Sequence, residues 1–174
     1  MSPQIYFFAS IGFSILAWGA VTRGYIWPRL RVLPRAEALR PLLLLHSFRF
    51  IGLAFLVPGV VSPALPSVFA HAAAYGDIIA AVLAWACLLS LPSATGMLMV
   101  WIFNCWGLAD LLDAFYQARA AGLAAGQLGA AYFIPTLLVP LLMITHGVIF
   151  RILLRQPGEA VRRVNRQGDE VLAA

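Results

Sequence analysis

Residues 41–61 read PLLLLHSFRFIGLAFLVPGVV, an apolar run that is long enough to cross a lipid bilayer. Two polar residues, His46 and Arg49, lie inside this run. An arginine at the centre of the hydrocarbon core costs about 2.5–3.5 kcal/mol on insertion scales, so its charge needs a partner. The sequence therefore predicts a counter-charge at the same depth on a neighbouring segment, and a fold that assembles around this pair.

The composition indicates that the whole chain is a membrane protein. Of its 174 residues, 62% are hydrophobic and 11% are charged, whereas soluble domains have about 25% charged residues. A water-soluble fold of this composition would expose large apolar patches. We therefore predict an all-α, integral membrane helical bundle that forms a single domain over residues 1–174, with the lipid bilayer as its surroundings.

Five apolar segments are the predicted transmembrane helices. All twelve basic residues are arginine, and most of them lie in short segments between or after the apolar runs. Such a distribution is typical of membrane topology rather than of nucleic-acid binding. With the N-terminus outside and the C-terminus cytoplasmic, ten arginines are cytoplasmic, one is external and Arg49 is embedded. The predicted spans cover residues 4–22, 41–57, 68–90, 95–116 and 131–150, and a polar cytoplasmic tail covers residues 151–174.

The third span has two interpretations. A single helix over residues 68–90 has the length that a bilayer requires. Alternatively, Gly76 and Asp77 divide the segment into an interfacial stretch and a shorter span. We prefer the single helix.

Three polar residues lie at similar depths in different spans. Because a helix rises 1.5 Å per residue, Arg49, Asp77 and Asn104 each lie about 13 Å from one edge of a core that is about 30 Å thick. We predict an ion pair between Arg49 and Asp77, with Asn104 hydrogen-bonded to it. This arrangement is the candidate ligand or proton site, because intramembrane charges usually pair or line a polar path.

Two histidines form a second layer nearer the predicted cytoplasmic side. His46 and His146 lie about 8 Å and 7 Å from that edge by the helical rise. Their simplest interpretation is helix packing with hydrogen bonds to neighbouring groups. The alternative is axial ligation of a haem b, since haem iron takes histidine ligands in apolar bundles.

Asp110 and Asp113 form an outer acidic stripe on the fourth predicted span. Their spacing places both carboxylates on one helix face. The simplest interpretation is an interfacial pair that faces water. Alternatively, the pair takes up protons or a cation at the outer mouth of the bundle.

The chain contains no familiar catalytic motif. A nucleophile elbow, a phosphate-binding glycine loop and an HExxH sequence are all missing. Cys87 and Cys105 lie in apolar runs without CxxC spacing, which predicts packing residues rather than a metal site. We therefore assign no catalytic residues and no metal ligands.

Four stretches of the chain resemble a family of small, uncharacterised bacterial integral-membrane proteins. They are HSFRF from His46, FAHAAAYGD ending at Asp77, NCWGLADLLDA, and IPTLLVPLLMITH ending at His146. The resemblance covers residues 41–150 and implies a multi-pass protein of the bacterial cytoplasmic membrane with no established activity. The polar residues that it includes are His46, Arg49, Asp77, Asn104, Asp110 and His146.

Three functions are consistent with these observations. The first is a small polar-ligand or proton-handling membrane protein with its site at Arg49, Asp77 and Asn104. The second is a redox subunit that binds haem b or a quinone through His46 and His146. The third is a structural or accessory subunit. A transporter with five spans has no simple two-fold internal repeat, so we would expect it to be a homo-oligomer.

Overall fold

The structure is a computed structural model that describes residues 3–155 of the chain. Within this range the fold is all-α, with six α-helices and short 3₁₀ and π segments that extend them. The predicted membrane helical bundle with five spans is confirmed, and residues 156–174 of the predicted tail lie outside the described residues. Five helical segments are long and apolar enough to cross a membrane: Pro3–Leu30, Arg35–Leu56, Ser67–Ser90, Ala94–Ala120 and Ile134–Leu153.

The first span is longer than its apolar run. Helix α1 (Pro3–Val21) continues through a π-helical turn, Thr22–Ile26, into α2 (Trp27–Leu30). The predicted span ends at residue 22, where the apolar run stops and arginines follow. Pro28 is the second residue after the π-helical turn, so the irregular turn lies where the helix lacks one backbone N–H donor.

The second span changes its helix type near its middle. Helix α3 (Arg35–Ser47) is followed by a 3₁₀ segment, Phe48–Leu56. A 3₁₀ helix has three residues per turn, so every third side chain lies on the same face. The buried residues of this segment are Arg49, Gly52 and Phe55, which follow that period. The 3₁₀ geometry therefore directs Arg49 into the bundle.

Helix α4 (Ser67–Ser90) lies between the second and fourth spans. It packs against α3, against the 3₁₀ segment and against α5 (Ala94–Ala120). It is continuous through Gly76 and Asp77, as the single-helix interpretation predicted. Small side chains allow these close approaches. The small residues among those buried on α4 are Ala70, Ala73, Ala74, Gly76, Ala80, Ala81, Ala84 and Cys87.

The fifth span combines a π-helical segment, Ile134–Leu138, with α6 (Val139–Leu153), which packs against α1, α3 and α5.

Helix α1 lies against α6 and this π-helical segment. Most of its large apolar side chains point outward, which indicates contact with the lipid bilayer. The exposed ones in α1 are Ile5, Tyr6, Phe8, Phe13, Ile15 and Leu16.

Two apolar cores lie at different levels of the bundle. One includes Leu43, Phe103 and Ile149, and the other includes Phe55 and Phe69. Along α4, Ala73 belongs to the second core and Ala80 to the first. The polar residues of the middle spans lie between these levels.

Candidate functional site

Arg49 is held by two carboxylates and one carbonyl group. Its Nε donates to Asp77 Oδ1 at 2.7 Å, its Nη1 donates to the Gly107 carbonyl at 3.0 Å, and its Nη2 donates to Asp110 Oδ2. The Arg49 side chain is completely buried. The predicted Arg49–Asp77 ion pair is confirmed, and Asp110 is a second partner. We call Arg49, Asp77 and Asp110 the ionic layer.

Asp110 does not belong to an outer stripe. The predicted fourth span ends at residue 116, but α5 continues to Ala120. Asp110 therefore lies ten residues from the end of α5, and Asp77 lies ten residues from the start of the antiparallel α4 at Ser67. The two carboxylates consequently share one depth. Asp113, the other member of the predicted stripe, is exposed and does not pair with Arg49.

Two glycines make room for the carboxylates. A Cβ atom at Gly52 would lie 2.7 Å from Asp77 Cβ and 2.8 Å from its Cγ. A Cβ atom at Gly76 would lie 2.6 Å from Asp110 Cγ. Contacts of this length are sterically excluded, so both positions require glycine for the observed packing. Neither glycine was among the predicted site residues, although the three-residue spacing of Arg49, Gly52 and Phe55 is visible in the sequence.

His46 and His146 lie beside the ionic layer as a stacked pair. Both are fully buried, with ring centroids 4.2 Å apart. Thr145 Oγ1 lies 3.0 Å from His46 Nε2 and donates its single hydrogen to the Leu141 or Leu142 carbonyl group. His46 Nε2 therefore donates to Thr145, and His46 Nδ1 has no hydrogen-bond partner among residues 3–155.

Asn104 binds His146 and not the Arg49–Asp77 pair. Its Nδ2 donates to the His146 backbone carbonyl at 3.3 Å, and its Oδ1 accepts from His146 Nδ1 at 2.7 Å. The predicted hydrogen bond from Asn104 to the ion pair is therefore wrong: among residues 3–155 both hydrogen bonds of this amide are to His146. Within the described part of the chain, His146 Nε2 has no hydrogen-bond partner. We call His46, His146, Asn104 and Thr145 the histidine layer.

Gly107 is the point where the two layers meet. Its carbonyl group accepts the hydrogen bond from Arg49. A Cβ atom at this position would lie 2.9 Å from His146 Nε2 and 3.0 Å from Arg49 Nη1. The guanidinium and the unpartnered imidazole nitrogen therefore approach the same face of α5, and the two layers are continuous.

The histidine pair does not fit a haem. Bis-histidine ligation places the macrocycle between the two imidazoles, with the iron bonded to one nitrogen of each ring. Here the rings of His46 and His146 are in direct contact, and both are fully buried. No macrocycle fits between them. Residues 3–155 also contain no group of three or more His, Cys, Asp or Glu residues arranged to hold a metal ion.

An apolar cavity ends at the ionic layer. Its volume is about 330 Å³, within the range of small-molecule sites. Asp77 and Asp110 line it, and their side chains keep 11% and 14% exposure while Arg49 has none. Gln4 and Arg119 also line it. The carboxylates therefore face the cavity, and the guanidinium is sealed behind them.

Fold and site together define a multi-pass membrane protein, by the length and hydropathy of its helices, with a buried Arg49–Asp77–Asp110 ion cluster. The chain belongs to the family defined by the domain of unknown function DUF8737, whose model matches residues 6–154. This match includes the first span, which the sequence resemblance over residues 41–150 did not cover. No curated protein and no solved structure matches the chain.

Proposed function

We propose that this protein handles protons, and that its ionic layer takes up and releases one proton within the membrane. The observation that carries the proposal is the ratio of charges: two carboxylates, Asp77 and Asp110, share the single guanidinium of Arg49. With both carboxylates ionised the cluster has one excess negative charge. An uncompensated charge is expensive inside a membrane, so one proton or one cation is needed for neutrality.

The roles of the three side chains follow from their positions. Arg49 stays charged in any protein environment, and it holds the two carboxylates at a fixed spacing. Asp77 and Asp110 exchange the proton, because they face the cavity while Arg49 is sealed. The glycines at positions 52 and 76 support this geometry, since a larger residue would displace a carboxylate.

Infrared spectroscopy of the full chain in lipid nanodiscs tests the proposal. A protonated carboxylic acid has a C=O stretch that an ionised carboxylate lacks. We expect this band to change with pH in the native protein and to be lost or shifted in Asp77→Asn and Asp110→Asn. Each asparagine keeps an oxygen that can accept from Arg49, which favours retention of the fold.

Asp113→Asn is the matched control, because Asp113 lies on the same helix as Asp110 but is exposed. This variant should keep the pH-dependent band of the ionic layer. A folded native protein without any protonated carboxyl group across the accessible pH range would refute the proposal. So would a band that remains unchanged in both cluster variants.

A structural role is the second candidate. It is favoured by the fixed position of the guanidinium, since Nε, Nη1 and Nη2 of Arg49 each have a partner. Replacing a buried ion cluster by apolar residues is often neutral for stability. Under this alternative, the variant Arg49→Met/Asp77→Leu/Asp110→Leu folds normally and the native protein has no titrating carboxyl band.

We further propose an N-out, C-in orientation in a bacterial cytoplasmic membrane. The excess of arginine in the segments around residues 23–40 and after residue 150 supports it. Exposed positions on opposite sides allow a test by cysteine labelling in intact cells. A membrane-impermeant thiol reagent should label Ala64→Cys and leave Val32→Cys unlabelled until the cells are opened. The reverse pattern would contradict the orientation.

A further inference from the structure

We infer that the cavity facing Asp77 and Asp110 binds a lipophilic cation, an apolar molecule that carries one protonated amine. The inference rests on the proposed function, because the bound cation takes the place of the proton that neutralises the ionic layer. It adds the chemical class of the ligand and a defined exchange between ligand and proton.

The cavity walls fit the apolar part of such a molecule. Apart from the ionic layer and the polar residues Gln4 and Arg119, the lining consists of apolar side chains. Aromatic faces also attract cations, with an energy of about 0.5–2 kcal/mol that rises when water is excluded. The aromatic lining residues are Phe7, Phe8, Phe55, Phe69 and Phe115.

The floor of the cavity fits an ammonium group. Each carboxylate uses one oxygen for Arg49, namely Oδ1 of Asp77 and Oδ2 of Asp110. Their other oxygens lie against Gly52 and Gly76 and accept no hydrogen bond from residues 3–155, and both side chains remain partly exposed. An ammonium group has three N–H donors and no acceptor, so it can bond to both carboxylates at once.

The charge balance also favours a cation. Arg49 and one ammonium group would balance the carboxylates of Asp77 and Asp110. The other titratable or charged groups near the floor are His146 on α6, beyond Gly107, and Asp113 on the exposed part of α5. A neutral His146 and an ionised Asp113 add no positive charge that would compete with the ammonium group. Helix α1 contributes one polar residue to the lining, the uncharged Gln4.

Arg119 is the cationic residue of the cavity lining, and it lies far from the floor. It is nine residues from Asp110 on α5, which corresponds to about 13 Å along the helix. Its side chain is exposed, so surrounding water screens its charge. The acidic and the basic lining residues are therefore separated by about 13 Å along α5.

The exchange conserves charge and atoms. The ammonium ion enters, the protonated carboxyl group of the ionic layer loses its proton, and that proton leaves to bulk water. No covalent bond of the ligand forms or breaks. Binding should therefore release one proton and should remove the infrared band of the carboxylic acid.

Binding of naphthylmethylamine to the full chain in nanodiscs tests the inference. Naphthylmethanol and naphthylacetate have the same apolar body with a neutral and an anionic group. We expect the amine to bind at least about tenfold more tightly than either, which corresponds to about 1.4 kcal/mol. Its affinity should rise with pH, approaching about tenfold per pH unit while the ionic layer holds its proton.

Two variants and one control locate the site. Ala114 lines the cavity, so Ala114→Phe should fill it and abolish amine binding without removing the carboxyl band. Asp110→Asn should weaken amine binding at least about tenfold, the scale expected for losing a hydrogen bond between charged groups. Asp113→Asn should bind the amine as the native protein does, because Asp113 does not line the cavity and its exposed charge is screened by water.

The outcomes separate this inference from the proposed function. Equal affinity for the amine and the alcohol, or amine binding that survives Ala114→Phe, would overturn the inference. A carboxyl band that changes with pH but not with added amine would also overturn it, and would leave proton handling intact. The lack of any such band in the native protein would instead refute the proposed function.

Discussion

The ionic layer and the histidine layer are adjacent, but they differ in exposure and in hydrogen bonding. The ionic layer has two carboxylates open to a cavity and a guanidinium whose nitrogens all have partners. The histidine layer is fully buried, and each ring leaves one nitrogen without a partner within the described residues. Charge therefore lies where a proton or ligand can enter, and the sealed layer contains groups that can remain neutral.

Removing the guanidinium should have the largest effect of any single change. Arg49→Met leaves Asp77 and Asp110 as two unpaired carboxylates, and breaking a buried ion pair from one side costs about 3–5 kcal/mol. The free energy of unfolding, measured in mixed micelles with increasing denaturing detergent, reports this loss. The variant Arg49→Met/Asp77→Asn/Asp110→Asn is the control and should regain most of the stability. A single variant as stable as the native chain would show that the ionic layer does not need its arginine.

Adding one methyl group to the ionic layer should have an intermediate effect. Gly52→Ala places a Cβ atom 2.7 Å from Asp77 Cβ, and such overpacking costs about 1–3 kcal/mol. Gly147→Ala is the matched control, because a Cβ atom there meets nothing within 4 Å. Unfolding of both variants under the same conditions gives the difference. Equal stability of the two would contradict the close contact between the 3₁₀ segment and α4.

Loss of one hydrogen bond between neutral groups in the histidine layer should lower the free energy of unfolding by a smaller amount. Thr145→Val removes the acceptor of His46 Nε2 and leaves a buried N–H group unpaired, at a cost near the lower end of about 1–3 kcal/mol because both partners are neutral. Thr136→Val is the control, because that hydroxyl group bonds only to the Tyr132 carbonyl, four residues earlier in the chain, and to no histidine. Nitrogen NMR of labelled histidines would report the tautomer. A native His46 protonated on Nδ1 alone would contradict the hydrogen bond from His46 Nε2 to Thr145.

The sequence was sufficient to predict the helical bundle and the Arg49–Asp77 pair. Both predictions need only the length of apolar runs and the rise per residue of a helix. Asp110 was misplaced because α5 runs four residues past the predicted end at residue 116, which changes its depth by about 6 Å. Depth counting therefore fails when the end of a helix is wrong by one turn.

Other features could not be predicted from the sequence because they depend on the rotation of each helix about its axis. Asn104 was predicted at the depth of Arg49, but its amide points to His146 on α6. The 3₁₀ segment was predicted as part of an α-helix, because an apolar run satisfies both periods equally well. The cavity arises from lateral packing of α1 against the other spans, which no local pattern in the sequence indicates.

Solid-state NMR distances between the Arg49 guanidinium carbon and aspartate carboxyl carbons test the central claim most directly. The full chain in lipid, labelled at arginine and aspartate, should give close contacts from one buried guanidinium to two carboxyl groups. Asp77→Asn should remove one of these contacts and Asp110→Asn the other. A guanidinium that contacts only one carboxyl group, or none, would contradict the shared ion cluster on which the account depends.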